Sequence, residues 1–316
     1  MPLAKQPINL HPHKHPKCGG KNCPERDKVD ADGLCTHTAS ATDGVPVRCV
    51  GEWAYDKIYR LVQYFGIFAN GMKNRWGGRL NYVEICSGPG RCITREDHTE
   101  IDGTALAVIH SAHFKELKKA IFIDASPRVV GILNQRIKAL AASHIAEAAV
   151  GDYGSAPGIC RILDQLPASC LNLVFIDPTN CDVPFTTIKR IVAHLRNADL
   201  LINVAIGTDV NRNIANAATD PSFVRAKQKY ESFLGLPGFC SRPDVVALAQ
   251  RAGFDDLKRK FADSYKEQLH TLGYVHTDIR AVRHYYYLLF ASCHPRGLKF
   301  WLDSCTYEPD GQKGLL

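Results

Sequence analysis

The sequence predicts an α/β fold with a mainly parallel sheet. Short apolar, β-rich runs alternate with helical patterns through the middle of the chain, and several runs close on an acidic residue or a glycine turn. The composition agrees: 45% hydrophobic and 22% charged residues exclude a disordered, collagenous or coiled-coil chain. At 316 residues there is room for one large domain or two ordinary ones.

The elements follow in order. Residues 1–50 carry almost no aliphatic periodicity and are dense in Gly, Pro, Asp and Lys, so they cannot offset their ordering entropy alone. From Gly51 the pattern changes. Trp53, Ile58, Leu61, Val62, Phe65 and Phe68 mark an amphipathic helix running towards Trp76. Leu80 to Cys86, Ala120 to Asp124, Ala148 to Asp152, Leu171 to Asp177 and Ala198 to Val204 read as strands, with a helix over Val129 to Leu140. Gly273 to Val275 and His284 to Ser292, with Thr277-Asp278 as the turn, read as a closing hairpin. The division expected is residues 1–50 and 51–316.

The 12 cysteines are unevenly spread. Cys18, Cys23, Cys35 and Cys49 have the two-plus-two arrangement of a zinc ribbon or knuckle, and His37 can replace one of them. Structural zinc on these four is the expectation; a flexible tail with free thiols is the alternative. The alternating His11, His13 and His15 read as a solvent-facing tail without a role. Cys86, Cys92, Cys160, Cys170, Cys181, Cys240, Cys293 and Cys305 mostly read as small core residues. Residues 1–16 lack the apolar core of a secretory leader, and no apolar run reaches the roughly 20 residues of a membrane span, so a cytoplasmic protein is expected.

The candidate binding residues lie at strand ends. Gly88-Pro89-Gly90 follows the first strand, where glycine lets a ligand approach the backbone. Asp124 closes the second strand, where a carboxylate can accept both hydroxyls of a ribose. Asp152 closes the third and can meet an adenine amino group; Asp177-Pro178 closes the fourth. Each acid alone is as well explained as a helix cap.

This layout resembles the Rossmann-like S-adenosylmethionine-dependent methyltransferases. Val83 to Gly90 is similar to their first motif, with Glu84 in its acidic position, although Cys86 stands where the first glycine is usual. The resemblance implies a class I methyltransferase sandwich, with cofactor contacts from Glu84, Gly88, Gly90, Asp124 and Asp152. It also implies an acceptor-orienting role for Asp177, with Pro178 and Asn180 beside it. The stretch Asp177 to Cys181 lacks the stacking aromatic of amino-methyltransferases, and Cys181 raises a covalent alternative.

A narrower resemblance is to the three-Cys-motif partner proteins (TcmP). It rests on Gly51-Glu52-Trp53, Gly71-Met72-Lys73 with Trp76, Tyr82 to Gly90, Ile101-Asp102-Gly103, Phe122 to Asp124, Phe175 to Pro178 with Asp182-Val183-Pro184, Asn211-Arg212-Asn213, and Phe290 to Leu298. It implies a phage-associated setting and a radical-type partner that carries the three cysteines. Three functions stay open: a methyltransferase acting on or with nucleic acid, a catalytically inactive binding partner of the radical-type enzyme, and a Mg-dependent nuclease using Asp124, Asp152, Asp177 and Asp182. The net charge of +7 permits nucleic acid without requiring it. Lys73, Arg75, Arg79, Arg91 and Arg95 can border a groove for it, and Arg212 can meet a phosphate.

Overall fold

The computed structural model describes residues 8–23, 29–251 and 253–308, with the side chain of Arg212 outside the description. In chain order the elements are β1 (His13–Lys14), β2 (Arg48–Val50), α1 (Trp53–Met72), β3 (Leu80–Ile85), β4 (Arg91–Thr94), β5 (Thr99–Asp102), α2 (Thr104–Ile109), β6 (Lys119–Asp124), α3 (Pro127–Ala139), β7 (Ala146–Val150), α4 (Ala156–Leu163), β8 (Leu171–Ile176), α5 (Phe185–Leu195), β9 (Ala198–Val204), a π-helical turn (Ile206–Val210), α6 (Asn211–Thr219), α7 (Val224–Leu234), α8 (Pro243–Gln250), α9 (Phe254–Thr271), β10 (His276–Val282), β11 (Tyr286–Ser292) and α10 (Pro295–Ser304). They fall into two compact units. The first runs to Gly151 and adds Leu166–Val174 and the chain from Lys299; the second holds Asp152–Gln165 and Phe175–Leu298.

In the first unit β3, β6 and β7 are parallel neighbours, with Val83 opposite Ile121 and Phe122 opposite Ala148. All of β3 is buried, which is why its run is mostly apolar on both faces rather than alternating, with Asn81 and Glu84 buried among the apolar residues. The Leu171–Val174 part of β8 lies beside β3. Helix α1 is buried on most of its surface, and Tyr64 meets Trp301 edge-on at 5.8 Å. Each such fully buried large side chain stabilises the fold by about 1.5–3 kcal/mol. Helix α3 starts because Ser126 Oγ accepts the Val129 N–H while Pro127 fills a first-turn position that needs no donor.

A second, four-stranded sheet in this unit has the order β1-β5-β4-β2. It overturns the reading of the N-terminal histidines as a solvent-facing tail. Strand β1 pairs with β5, His13 opposite Glu100. Side chains of one parity therefore share a face, and His11, His13 and His15 meet the buried carboxylates of Asp102 and Glu100. His15 is itself buried and bonds Ala39 O through Nε2.

The second unit contains β9, β11 and β10 in that order, antiparallel, with Leu201 opposite Phe290. The closing hairpin is as expected, but its turn is not at Thr277-Asp278. Those residues pair with Ala291 and Phe290 inside β10, and the chain turns after Val282, with Arg283 at φ 50°. Strand β10 is an edge strand whose Thr277, Asp278 and Arg280 remain half exposed, so its polar residues mimic a turn. Helices α5, α7 and α9 share an aromatic core in which Phe233 stacks on Tyr265 at 4.6 Å and Phe185 meets the same ring edge-on. Among the described residues no helix is long and apolar enough to cross a membrane.

Candidate functional site

The first unit holds the glycine turn. Leaving β3, Cys86 takes φ 66°, the left-handed conformation usual for glycine, so the chain makes the turn of a glycine motif with a cysteine in its first place. Gly88 N–H donates to Asp124 Oδ2 at 3.0 Å, and Ser126 N–H donates to Asp124 Oδ1 at 3.1 Å. The end of β6 and the turn after β3 are thereby tied through one buried carboxylate. Gly90 has φ 93°, and a Cβ there would lie 2.9 Å from Leu133 Cδ1. Glu84 is fully buried and accepts hydroxyls from Tyr82 and Thr104, which fixes β3 to the start of α2. Two buried polar atoms at this turn, Ser87 Oγ and Arg48 Nε, have no hydrogen-bond partner. Arg48 reaches the turn itself, since a Cβ on Gly88 would lie 3.4 Å from Arg48 Nη1.

The N-terminal segment packs against the same turn. Ser126 Oγ donates to Asp32 Oδ1 at 2.7 Å, and Arg128 pairs with Asp30 and Asp32. Arg136 donates to Pro89 O and to both oxygens of Asp43. Burial alone would raise the Asp43 carboxyl, but hydrogen bonds and charge from Arg136 outweigh it and hold it below the ordinary value. Leu34 is buried against Val129 and Ile132 of α3.

Cys18, Cys23, Cys35, His37 and Cys49 line one cavity of about 10 Å³. Burial raises the Cys18 thiol, with a smaller contribution from the charges of Cys23 and Cys35. Four thiols are the donor set of a structural zinc centre, but among the described residues these cysteines do not form a tight ligand group. Arg91, offered by the sequence as a nucleic-acid contact, is instead buried between Glu100 and Asp102. Lys73 pairs with Glu116.

Asp152, Asp177, Pro178 and Asn180 belong to the second unit. Asp152 is exposed and accepts the Gly154 N–H in a local turn. Asp177 Oδ1 accepts from Asn203 Nδ2 at 2.8 Å, while Asn180 is exposed. Asp152, Asp177 and Asp182 form no tight ligand group; among the described residues that distinction falls to His11, Asp102 and His110. Cys181 is fully buried, and burial pushes its thiol well above the ordinary value, which removes the thiolate a covalent role requires.

The sequence did not single out Asp209, in the π-helical turn after β9. It accepts Cys181 N–H, Tyr230 OH and Lys229 Nζ, the last at 2.6 Å. Burial would raise its carboxyl, yet these donors hold it below the ordinary carboxylate value. The π turn is possible because Gly207 has no Cβ: one would lie 2.0 Å from His284 O. An open groove of about 640 Å³ beside it is lined by Asn213, Phe223, Arg225 and Lys229. The nearest sequence signal was Asn211 to Asn213, of which Asn213 bonds Asp209.

No family model matches the chain, and no curated protein matches it. Among solved structures, it is similar to the O-methyltransferase from Bacillus cereus in complex with SAH, at 11% identity and TM-score 0.40, covering 77% of this chain and 82% of that one. It is also similar to an O-methyltransferase of tomaymycin synthesis from Streptomyces achromogenes in complex with SAM, at 15% identity and TM-score 0.37, covering 73% and 80%. A third is an SAH-bound methyltransferase from Podospora anserina, at 13% identity and TM-score 0.34, covering 71% and 76%.

Proposed function

We propose that the protein is methyltransferase-like, binds S-adenosylmethionine at the Gly88 to Gly90 turn, and acts on or with nucleic acid. The observation that carries this reading is the Gly88–Asp124 hydrogen bond, with Ser87 Oγ and Arg48 Nε buried and unpartnered beside it. A buried polar atom without a partner costs about 1–3 kcal/mol, which a polar ligand at the turn would recover. Asp124 accepts two backbone N–H groups and, as a carboxylate, has further lone pairs for ribose hydroxyls. Glu84 acts at one remove, bracing the strand that carries the turn. When bound, the cofactor supplies an electrophilic sulfonium methyl, and the protein's part is orientation. In this reading Asp152 meets the adenine amine. Asp177, its carboxylate oriented by Asn203, accepts from the acceptor group, with Pro178 and Asn180 alongside.

Residues 1–50 are the zinc-held segment of this reading, on Cys18, Cys23, Cys35 and Cys49, and residues 51–316 its methyltransferase-like domain. A second reading, a TcmP-type binding partner of a radical enzyme without methyl transfer, is favoured by the engagement of Asp177 with Asn203 and by the exposure of Asn180. Mass spectrometry of the purified protein tests both parts. The expected result is a retained S-adenosyl nucleoside, and zinc that is lost from a Cys18→Ser, Cys49→Ser variant. Protein carrying neither would overturn the proposal, and bound cofactor with no methyl transfer to any nucleic acid would select the second reading.

A further inference from the structure

We propose that His11, Asp102 and His110 form a second metal site, separate from the cysteines, for a divalent first-row ion such as zinc. The three ligand atoms all lie within 4.8 Å of one another. Asp102 Oδ2 receives His11 Nδ1 at 2.8 Å and His110 Nδ1 at 2.6 Å, so two imidazoles converge on one carboxylate oxygen. Their rings sit edge to face, centroids 4.3 Å apart. Two imidazole nitrogens and a carboxylate oxygen suit zinc and its first-row neighbours, and three protein ligands leave a position for water or substrate.

Charge separates this cluster from an ordinary hydrogen-bonded one. Asp102 and Glu100 are both fully buried, and among the described residues the guanidinium paired with them is that of Arg91, which donates Nη1 to Asp102 Oδ1 and Nε to Glu100 Oε1. The other partners of the two carboxylates are the imidazoles of His11 and His110 on Asp102 and of His13 and His15 near Glu100, with Ser40 and Ala41 donating to Glu100. Buried carboxylates are normally paired or bound to metal, and neutral imidazoles are themselves metal ligands. His13 stands 3.3 Å from the other oxygen of Glu100, and a divalent ion at Asp102 Oδ2 would bring positive charge to the buried carboxylate pair. Arg91 then serves as the outer partner that orients the ligating carboxylate. Coordination through Nδ1 leaves each imidazole as its Nε2–H tautomer, and bonds to the ion replace the two hydrogen bonds to Oδ2. The site lies next to the glycine turn in the first unit: Gly103, the residue after Asp102, donates its N–H to Gly90 O at 2.7 Å.

The test uses the full chain, stripped by chelation and titrated with cobalt(II), with metal counted by mass spectrometry. The expected result is that His11→Ala and His110→Ala each weaken one class of cobalt site by about tenfold or more. The visible bands of nitrogen–oxygen coordination should fall while any near-ultraviolet thiolate charge-transfer band stays unchanged. His11 is nearly half exposed, so its variant is the one least able to disturb the fold. Identical cobalt uptake and spectra in wild type and both variants would overturn the proposal. So would a full loss of uptake in Cys18→Ser, Cys49→Ser.

Discussion

The backbone amide of Gly88 donates to the carboxylate of Asp124 at 3.0 Å, across 36 residues of sequence. A strand-end acid and a glycine turn that the sequence shows only as separate features are thus one structural unit. Asp124→Asn keeps the size of the side chain but presents an amide to two N–H donors. We expect a loss of about 1–3 kcal/mol in stability and loss of the thermal shift produced by S-adenosylhomocysteine. Differential scanning fluorimetry reads both; an unchanged ligand shift would remove Asp124 from the site.

Gly90 and Gly131 form a matched pair in the first unit. Gly90→Ala meets both a positive φ and Leu133, and should destabilise by about 1–2 kcal/mol. Gly131→Ala, inside α3 with open space around it, should instead stabilise by about 0.5–1 kcal/mol. Urea denaturation of the two variants gives the signs, and equal effects would show that the conformation of the turn is not what requires glycine.

The Cys181 thiol should be inert in the folded protein. It is fully buried and raised well above the ordinary value, whereas Cys293 of the same unit, also raised by partial burial, is exposed. A thiol reagent at neutral pH should label Cys293 about a hundredfold faster or more, with Cys181 reacting only on unfolding. Labelling of Cys181 without unfolding would reopen covalent chemistry there.

Strands β3, β8 and β9 were legible because they are buried on both faces and read as mostly apolar runs with only one or two polar residues each. Helix α1 was legible from its three- and four-residue steps. The sheet of β1, β5 and β4 was not. Its buried positions hold Arg91, Glu100, Asp102 and His15, which satisfy one another across the fold, and hydrophobic periodicity carries no record of pairing between residues 11 and 102. The same reason hid Asp209, whose donors Lys229 and Tyr230 are about twenty residues distant. The gathering of the four N-terminal cysteines around one cavity was legible from their spacing, because such spacing is local.

Acid should loosen the first unit before any other change of solvent charge. Burial works to raise the Asp97 carboxyl, but hydrogen bonds from Thr94, Thr99 and Lys14 prevail and hold it at about 2, and Glu100 is likewise lowered by Ser40, Ala41 and Arg91. Carboxyls lower in the folded than in the unfolded chain contribute stability that is full above the unfolded value. That stability is lost as pH falls through the folded one. Thermal unfolding should therefore be flat above about pH 5 and fall steadily from about pH 4 towards pH 2. A midpoint that rises on acidification would contradict these pairings.

The most direct measurement of the central claim is isothermal titration of the full chain with S-adenosylmethionine and S-adenosylhomocysteine, wild type beside Asp124→Asn. We expect one binding site per chain in the wild type, weakened about tenfold or more in the variant, since hydrogen bonds to a charged group are worth about 1.5–3 kcal/mol. No binding heat for either nucleoside in the wild type, or equal affinity in both proteins, would contradict it.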